Sequence, residues 1–449
     1  MKNDSETLND LVREDAVHRS VYTDPDIFEL EMQRLWGRAW IYIAHESQIP
    51  NKGDFITTDL ARQPVLLVRH DEETYNLFFN RCAHKGAKVC EQASGRARAR
   101  LLRCGYHGWT YDTTGTCRHI TGGDAAYEAI GQDRRSACMN LQKVPSLASY
   151  RGFIFASLDP DAPELATWLG ATATSIDNMA DRSPEGKLEI TGGVLRYNHD
   201  SNWKFFVENL NDMMHAMIAH QSSAQTAQIL GKKLFGKDGD LPSEIEILSP
   251  FAEKENFFEE MGVHAFQNGH SYSGGKTSIH ADYSLGSEYQ DAMEAAYDKD
   301  RLAQIMSINR HNTVIYPNFT LKGAIQTIRV VKPISVNQTV IESWTFRLVG
   351  APDEMLHRSI LYCNLINSSG NLVGPDDREA YYRLQHGLET QADDWVAMSR
   401  YLGSEVPNDE GGFSATGSSD IVHRGQFKAW KDYMSRPGAN SLSVDVING

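Results

Sequence analysis

Two short clusters of cysteine and histidine constrain this chain more than any other feature of its sequence. Cys82 and His84 form a C-x-H pair, Cys104 and His107 form a C-x-x-H pair, and nineteen residues separate His84 from Cys104. Thiolate sulfur and imidazole nitrogen are metal ligands, and four such ligands act together only if the two segments lie side by side as loops. The sequence therefore predicts a metal centre held between two loops of one small domain.

The ligand types leave two kinds of centre open. One is a closed structural zinc site, and the other is a Rieske [2Fe-2S] centre, in which two cysteines bind one iron and two histidines bind the other. Gly86, Gly105 and Gly108 lie one or two residues from the ligands. Backbone without Cβ atoms can bring N–H groups close to cluster sulfurs, and a lone zinc ion gains less from such donors. This context favours the Rieske centre.

The region around these pairs is typical of a small β-sandwich. Six short runs rich in β-branched and aromatic residues lie between Trp40 and Leu158, and turn residues separate them. Two prolines in the segment 159–163 then interrupt the pattern, so we place a domain boundary near residue 160. Beyond it, strand-like stretches alternate with helical ones, among them 203–217 and 377–402, which predicts an α+β domain.

A second cluster of possible ligands lies in this α+β region, where His215 and His220 follow Asp212. At about 100° per residue, Asp212 and His215 share a helix face, whereas the two histidines diverge by about 140°. A straight helix could not bring both imidazoles to one metal ion, so the helix must bulge or end between them. Such departures concentrate at functional sites, which favours a metal role over two ordinary buried histidines.

Two histidines need a carboxylate to complete the facial triad that leaves open positions on ferrous iron. Asp377 is the best candidate, because it precedes a long predicted helix whose N-terminus could fix it. Asp376 and Asp394 are the alternatives. Simple N-capping of the helix is another interpretation of Asp376 and Asp377.

The order of these parts resembles the large (alpha) subunit of the Rieske nonheme iron aromatic-ring-hydroxylating oxygenases. The resemblance covers nearly the whole chain and rests on the two cysteine–histidine pairs, on an Asn-Trp-Lys run at 202–204 and on the pattern Glu-Asn-x-x-Asp-x-x-His-x4-His at 208–220. It implies an α+β chain in three parts. These are a helical segment at 1–39 that packs on the catalytic domain, a Rieske β-sandwich domain at 40–160, and a catalytic domain at 161–449 with an antiparallel sheet and covering helices, similar to a helix-grip fold.

The resemblance also implies a role for each candidate residue. Asp212 would bridge the cluster of one subunit to the mononuclear iron of its neighbour, and Asn209 would lie near that iron without being a firm ligand. The implied ligands are Cys82, His84, Cys104 and His107 for the [2Fe-2S] cluster, and His215, His220 and Asp377 for mononuclear Fe(II).

The activity implied is that of a terminal oxygenase component, which uses O2 and electrons from NADH to dihydroxylate an aromatic compound. A separate reductase, with or without a ferredoxin, would deliver the electrons, since no G-x-G-x-x-G segment here opens a helix after a strand. The implied assembly is a trimer, α3 or α3β3 with a small beta subunit. A Rieske monooxygenase or demethylase acting on a ring, alkyl or amine substituent is one alternative, and an electron-transfer or zinc-stabilised binding protein is another.

The substrate pocket is predicted from apolar residues near the iron segment. Met213, Met217 and Ile315 would form an adaptable apolar wall, although ordinary core packing explains each of them as well. Arg310 and His311 could meet a substrate carboxylate, with surface exposure as the alternative. The two-residue gap before Asp212 is more like the aromatic-acid members of the family, so an aromatic carboxylate is the favoured substrate.

Composition excludes several other classes of protein. The 449 residues contain 44 Lys and Arg against 59 Asp and Glu, a net charge of −15 that argues against nucleic-acid binding. No apolar run approaches the ~18 residues of a membrane span, and the start lacks an apolar signal core. With only six cysteines, we expect a cytoplasmic protein without disulfides. The four cysteines outside the motif, Cys90, Cys117, Cys138 and Cys363, are predicted to be inert thiols.

Overall fold

The computed structural model describes residues 8–123, 125, 128–129, 139–236, 241–275, 277–281 and 283–436. The chain divides into two compact units. The described residues of Leu35–Leu165 form the smaller unit, and those of Met1–Arg34 and Ala166–Pro437 form the larger one. Among the described helices, none combines the length and the apolar character that crossing a bilayer requires.

The smaller unit is built from short antiparallel strands, as the sequence predicts. Each of the six predicted runs overlaps a strand, and alternate side chains fill one core that includes Leu66, Phe78, Trp109 and Tyr111. In the described part of this unit the strands make three sheets. In order across each sheet they are Tyr75–Phe79, Gln63–Arg69, Asp54–Leu60 and Ser94–Arg96; Ser146–Tyr150, Phe153–Ser157 and Ile41–His45; and Leu101–Arg103, Thr110–Asp112 and Cys117–His119.

The thiols outside the motif carry no disulfide where the structure describes them. Burial raises the pKa of Cys90 and of Cys363 to about 11, which keeps both thiols protonated and unreactive. Cys138 lies outside the described residues.

The larger unit is organised around one long antiparallel sheet. Its central strands are rich in Val, Ile, Thr and Phe and are buried along much of their length. The predicted strands near residues 195–199, 325–331 and 340–349 all belong to it. In the described chain the order across the sheet is Leu188–His199, Gln338–Leu348, Thr327–Ser335, Phe319–Lys322, Asn309–Ile315, Ser271–Gly275, Val263–Ala265, Phe413–Ala415 and Val406–Pro407.

Helices cover this sheet, and several pack directly on its strands. A further strand pair, Ala16–His18 with Trp395–Ala397, lies apart from the main sheet. The longer helices are Pro25–Arg34, Ala173–Asp181, Trp203–Asn209, His215–Ala219, Gln221–Phe235, Ser243–Leu248, Glu255–Met261, Ser287–Ala296, Lys299–Ser307, Asp353–Tyr362, Gly374–Gly387 and Ile421–Ser435.

Two helical predictions need correction. The stretch expected over 377–402 is helical only from Gly374 to Gly387, because Trp395–Ala397 pairs with Ala16–His18 and tertiary pairing overrides helical periodicity. The stretch expected over 203–217 ends at Asn209 and resumes at His215. The helix that begins at His215 ends at Ala219, and His220 follows with non-helical φ and ψ of −101° and 12°, so the predicted interruption is present just before the second histidine. The break at residues 210–214 is an additional one.

A buried carboxylate joins three helices of the larger unit. Glu31 is fully buried, and its carboxylate oxygens accept hydrogen bonds from the Trp203 indole at 2.9 Å and the Trp430 indole at 2.6 Å. It also forms an ion pair with the buried Lys204 ammonium at 2.6 Å. Each hydrogen bond that Glu31 accepts satisfies a donor that has no access to water. Together these bonds fix the three helices to the Glu31 carboxylate.

Glu31→Gln is expected to destabilise the protein by about 3 kcal/mol or more, because it leaves the Lys204 charge buried without a partner. Thermal or urea unfolding of the two proteins measures the difference. Glu379→Gln is the matched control, since Glu379 pairs with Arg383 at the surface of a helix and such pairs contribute roughly 0.5 kcal/mol. Equal effects of the two substitutions would contradict this role of Glu31.

Candidate metal centres

The first centre lies on two loops of the smaller unit that have the same local construction. In each loop a glycine N–H four residues after the cysteine donates to the cysteine carbonyl, Gly86 to Cys82 at 3.0 Å and Gly108 to Cys104 at 3.1 Å. Both glycines have positive φ, 79° and 73°, a conformation that other residues adopt at a cost. The glycines noted in the sequence therefore serve first to turn each loop around its ligands.

The thiols of these loops point inward and the imidazoles lie nearer the surface. Cys82 and Cys104 are 3% and 2% exposed, whereas His84 and His107 are partly exposed, with ring centroids 4.5 Å apart. His84 stacks on the Trp109 indole, and its Nδ1 is buried with no hydrogen-bond partner among the described residues. An imidazole nitrogen held in this way is free to bind a metal.

The donor set fits a [2Fe-2S] cluster better than a zinc ion. In the described part of the chain, one group of side chains has ligand atoms that all lie within 4.8 Å of one another, and that group lies elsewhere. The four donors of this first centre therefore do not converge on one point. A single tetrahedral ion needs such convergence, whereas a cluster has two metals with separate ligand pairs. The Tyr111 hydroxyl lies 3.1 Å from the Cys82 sulfur, and a hydrogen bond from a hydroxyl to a ligand sulfur tunes the potential of a cluster.

The second centre depends on the interruption after the helix Trp203–Asn209. Asn202 caps the start of this helix by accepting from the Lys204 N–H at 3.1 Å. Past its end, the Leu210 carbonyl accepts from the Asn312 side chain at 2.5 Å. The fully buried Asn211 side chain is held by Ser271 and Ser273, two hydroxyls of the neighbouring strand. These bonds replace the helical ones, and the chain can therefore turn before His215.

The turn brings together the three residues predicted to bind iron. The Nε2 atoms of His215 and His220 lie 3.5 and 3.3 Å from the same oxygen, Oδ1 of Asp377. These are the three side chains whose ligand atoms all lie within 4.8 Å of one another. Two imidazoles and one carboxylate on one side of a point leave the other side open, which is the donor set of a facial triad.

Each imidazole is oriented by a bond on its other nitrogen. Nδ1 of His215 lies 2.5 Å from the Asp212 carbonyl, so this nitrogen donates and Nε2 is left to bind a metal. Nδ1 of His220 lies 3.2 Å from the Asp376 carboxylate. The neighbouring aspartates thus hold different positions. Asp377 contacts the Nε2 atoms of both rings, and Asp376 contacts Nδ1 of His220.

The alternative interpretations of the aspartates find less support in this geometry. The helix begins at Gly374 after Val373, so both aspartates lie within its first turn and neither caps it. Asp394, the third candidate, forms an ion pair with Arg19 at 2.9 Å and is 57% exposed.

Asn209 lies beside the triad, close to two of its members. Its amide Nδ2 donates to Asp377 Oδ1 at 3.2 Å and lies 3.1 Å from His215 Nε2. This contact steadies the carboxylate, and it supports the expectation of a residue near the iron that is not a ligand.

The charges of the triad are strongly coupled. Burial favours the neutral form of Asp377, but hydrogen bonds from His215 and His220 outweigh it and hold the pKa of the carboxyl far below its usual range. Burial likewise disfavours the charged form of His215, but the interaction with Asp377 outweighs burial and raises the pKa of the imidazole. The site therefore holds a carboxylate that attracts positive charge, which a divalent ion can supply in place of protons.

Asp212 contacts the triad through its backbone and Arg400 through its side chain. Its carbonyl binds His215, whereas its carboxylate is 28% exposed and lies 3.5 Å from the Arg400 guanidinium. Arg400 in turn forms an ion pair with Asp420 at 2.8 Å, and Asp420 lies 3.4 Å from His423. The Asp212 side chain is thus accessible, and its backbone connects it directly to an iron-site imidazole.

A cavity opens beside the triad, and part of the predicted pocket lines it. Met213 and His311 are lining residues, together with apolar side chains of Phe251, Ile279 and Ile366. Sequence reasoning missed these three because they come from segments far apart in the chain. It also missed Lys322 and Arg329, two cations on the cavity wall. In the sequence they look like strand residues that point to solvent.

The described lining does not include Met217, Ile315 or Arg310. Arg310 packs against Tyr272 and forms an ion pair with Glu410 at 3.0 Å. A β-bulge explains why Arg310 does not reach the cavity. Ser273 pairs with Asn312 and Gly274 pairs with Arg310, which leaves His311 without a partner residue in the sheet register. The bulge lets His311 and its neighbour Asn312 both reach the cavity while Arg310 points elsewhere.

Comparison with known proteins follows the division into two units. A family model described as the Rieske [2Fe-2S] domain matches residues 39–143, and one described as the ring hydroxylating alpha subunit (catalytic domain) matches residues 167–412. The toluate 1,2-dioxygenase alpha subunit of Pseudomonas putida is 32% identical, over 85% of this chain and 82% of its own. The 2-halobenzoate 1,2-dioxygenase large subunit of Burkholderia cepacia is 30% identical, over 85% and 79%.

Solved structures agree on the fold. Naphthalene 1,2-dioxygenase with bound indole superimposes with a TM-score of 0.78 at 21% identity, over 95% of this chain and 94% of that one. A quaternary ammonium Rieske monooxygenase gives a TM-score of 0.65 at 15% identity, over 97% and 98%. The predicted fold class, a Rieske β domain followed by an α+β domain with an antiparallel sheet, is confirmed. Since a monooxygenase shares it, the fold does not identify the reaction.

The two aspartates give a test of the second centre. Asp377→Asn is expected to lower iron from about three atoms per chain to about two, because the shared anionic ligand is lost while the cluster stays. Asp376→Asn is the matched control one residue away, and it should weaken iron binding only by ~10–100-fold, as expected for an orienting partner. Iron analysis with the visible spectrum of the cluster measures both. Greater iron loss in Asp376→Asn would reverse the assignment.

Proposed function

Because this chain belongs to the family of ring-hydroxylating alpha subunits with a Rieske domain, we propose that it is the terminal oxygenase of a multicomponent system that dihydroxylates an aromatic carboxylate. The family membership makes it an oxidoreductase with a Rieske [2Fe-2S] cluster and a mononuclear iron. The toluate and 2-halobenzoate relatives are named for aromatic acids, which supports the carboxylate.

One observation carries the proposal: the two imidazoles and the carboxylate face a cavity with apolar walls. His215, His220 and Asp377 all line the same space as Phe251 and Ile279. The open positions of an iron ion held by this triad would face the same cavity as these apolar side chains, which suit a flat ring. When bound, the iron supplies the open positions and the redox chemistry that O2 requires, and the cluster supplies electrons one at a time.

The chain's own residues prepare this site for the reaction. The Asp212 carbonyl and the Asp376 carboxylate fix the two imidazoles, so that the ligand atoms are in place before a metal binds. The Asn209 amide holds the shared oxygen of Asp377. The apolar wall excludes water from the ring and orients it by shape.

We assign the cluster to Cys82, His84, Cys104 and His107, and we assign Asp212 to the connection between subunits. Its accessible carboxylate could accept a hydrogen bond from a cluster imidazole of a neighbouring subunit, the counterpart of His107. The short bond from its own backbone to His215 then completes a path between the two metal sites. Arg400 balances the negative charge of this carboxylate until a partner arrives.

Enzymes of this family work as oligomers with a reductase or ferredoxin. For this chain we propose a trimer, α3 or α3β3, that receives electrons from NADH through a separate reductase, with or without a ferredoxin. A carboxylate exposed beside the iron site supports an assembly in which the neighbouring subunit supplies the cluster.

Turnover with ¹⁸O2 tests the reaction class. With a surrogate reductase, NADH and a set of aromatic acids and hydrocarbons, we expect products that carry two labelled oxygen atoms in a cis-diol. The measurement is mass spectrometry of the products. Incorporation of a single labelled atom would instead identify a monooxygenase, and hydroxylated products without any label, whose oxygens come from water, would exclude an oxygenase.

Asp212→Ala is expected to retain both metals and to lower turnover by ~10²-fold or more, because the bridge between subunits is lost. Asp432→Ala is the matched control, since Asp432 pairs with Lys428 on an exposed helix face. Stopped-flow reoxidation of the reduced cluster in the presence of O2 and substrate separates the two. If both variants reoxidise at the wild-type rate, Asp212 does not connect the centres.

A further inference from the structure

Two cations stand on one wall of the cavity beside the triad. Lys322 ends the strand Phe319–Lys322, and Arg329 lies in the adjacent strand Thr327–Ser335. Thr320 pairs with Arg329, and Lys322 pairs with Thr327. Directly paired residues point to the same face and so do alternate residues, so Lys322 and Arg329 are diagonal neighbours on one face, with Cβ atoms about 7–8 Å apart. Both line the cavity.

Neither cation has an acidic partner among the described side chains. Lys322 is 3% exposed and forms no ion pair or hydrogen bond there, although its ammonium lies 5.5 Å from the Tyr362 ring. Arg329 donates with Nη2 to Asn312 at 2.9 Å and packs over Phe206, which leaves its other donors uncommitted. Asp377 is the acid whose charge acts on Lys322, and its carboxylate is engaged by the two histidines.

The protein alone does not compensate the charge of these two side chains. Burial, reinforced by Arg329 and opposed by Asp377, holds the pKa of the Lys322 ammonium well below its usual range. Two cations that repel each other in a buried wall are stabilised by an anion placed between them. Asp212 and Asp377 are the acids in the described lining, and they are engaged by Arg400 and by the two histidines, so the partner anion of the two cations has to come from the ligand.

A third polar group of the same wall is also without a partner. His311, carried by the bulge, is 8% exposed, and its Nδ1 is buried with no hydrogen-bond partner in the described chain. Burial, reinforced by Lys322, lowers the pKa of this imidazole well below its usual range, so the ring is neutral and can donate or accept. Together the three groups add a polar patch to a cavity that is also lined by the triad and by apolar side chains.

We propose that Lys322 and Arg329, with His311 beside them, form the subsite that binds the carboxylate of an aromatic acid and fixes its ring against the iron site. A planar carboxylate suits the guanidinium fork of Arg329 and the point charge of Lys322. The ring then lies against Phe251 and Ile279 on the apolar side. This inference rests on the proposed function and names the residues that select the acid.

The test compares two planar ligands of similar size, benzoate and nitrobenzene, which differ in charge. Titration calorimetry on the oxidised holoenzyme without reductase measures both dissociation constants in the absence of turnover. We expect the wild type to bind benzoate at least about tenfold more tightly than nitrobenzene, because only the carboxylate forms charge-assisted hydrogen bonds with the two cations. Benzoate binding no tighter than nitrobenzene in the wild type overturns the subsite, with no variant needed.

Variants identify the residues responsible. Lys322→Gln should reduce the preference for benzoate by ~10–100-fold, and Lys322→Arg, which keeps the charge, should restore most of it. Lys332→Gln is the matched control, because Lys332 is a partly exposed lysine that already pairs with Glu342. Iron content and cluster absorbance establish that each variant is intact. An unchanged preference in intact Lys322→Gln overturns the proposal.

Failure of this inference is distinguishable from failure of the proposed function. If labelled oxygen enters neutral aromatics with no preference for benzoate, the oxygenase function stands and the subsite does not. If benzoate binds in a Lys322-dependent way and no aromatic compound takes up labelled oxygen, the subsite stands and the oxygenase function does not.

Discussion

The carboxylate of Glu31 is the interaction on which the larger unit depends. It sits in the core with a lysine and two indoles as its partners, and it fixes the helix Trp203–Asn209 at its first turn. Everything that follows in the chain, from the turn at Leu210 to the ligand His220, is placed relative to that helix. A charge buried this deeply stabilises only when all its bonds form, so it also selects one arrangement of the three helices.

The metal site then arises from a conflict between sequence spacing and helix geometry. Histidines five residues apart cannot share a face of a straight helix. The end of the helix at Ala219 resolves the conflict, because His220 has φ and ψ of −101° and 12° and leaves the helical path of His215. The buried amide of Asn211 sets the start of this helix, since its bonds to two strand hydroxyls hold the preceding chain out of helical conformation. The sheet, and not the local sequence, therefore decides where the helix Trp203–Asn209 ends and where His215 begins the next one.

Much of the fold and of the metal sites could be predicted from the sequence, since short-range patterns carry them. The cysteine–histidine pairs and the two spaced histidines are candidates because their residue types and spacings are rare, and Asp377 is a candidate because it precedes a long predicted helix. The wall of the cavity was not. Lys322 lies at a strand end, where a lysine usually meets solvent, and only the pairing of Phe319–Lys322 with Thr327–Ser335 inside a broad sheet buries it. Arg310 illustrates the converse, since a one-residue bulge sends it away from the site that its neighbour His311 reaches.

The helix Gly374–Gly387 has a further consequence through its two ends. Its first turn carries both Asp376 and Asp377, and near its last turn the Gln385 side chain accepts a hydrogen bond from the Asn202 N–H at 2.8 Å. Asn202 caps the helix that leads to the histidines, so the two helices would form a closed loop of interactions with a metal ion held by the triad. Docking of this helix and affinity for the ion are thus thermodynamically linked, and a chelator acts as a local denaturant of this part of the molecule.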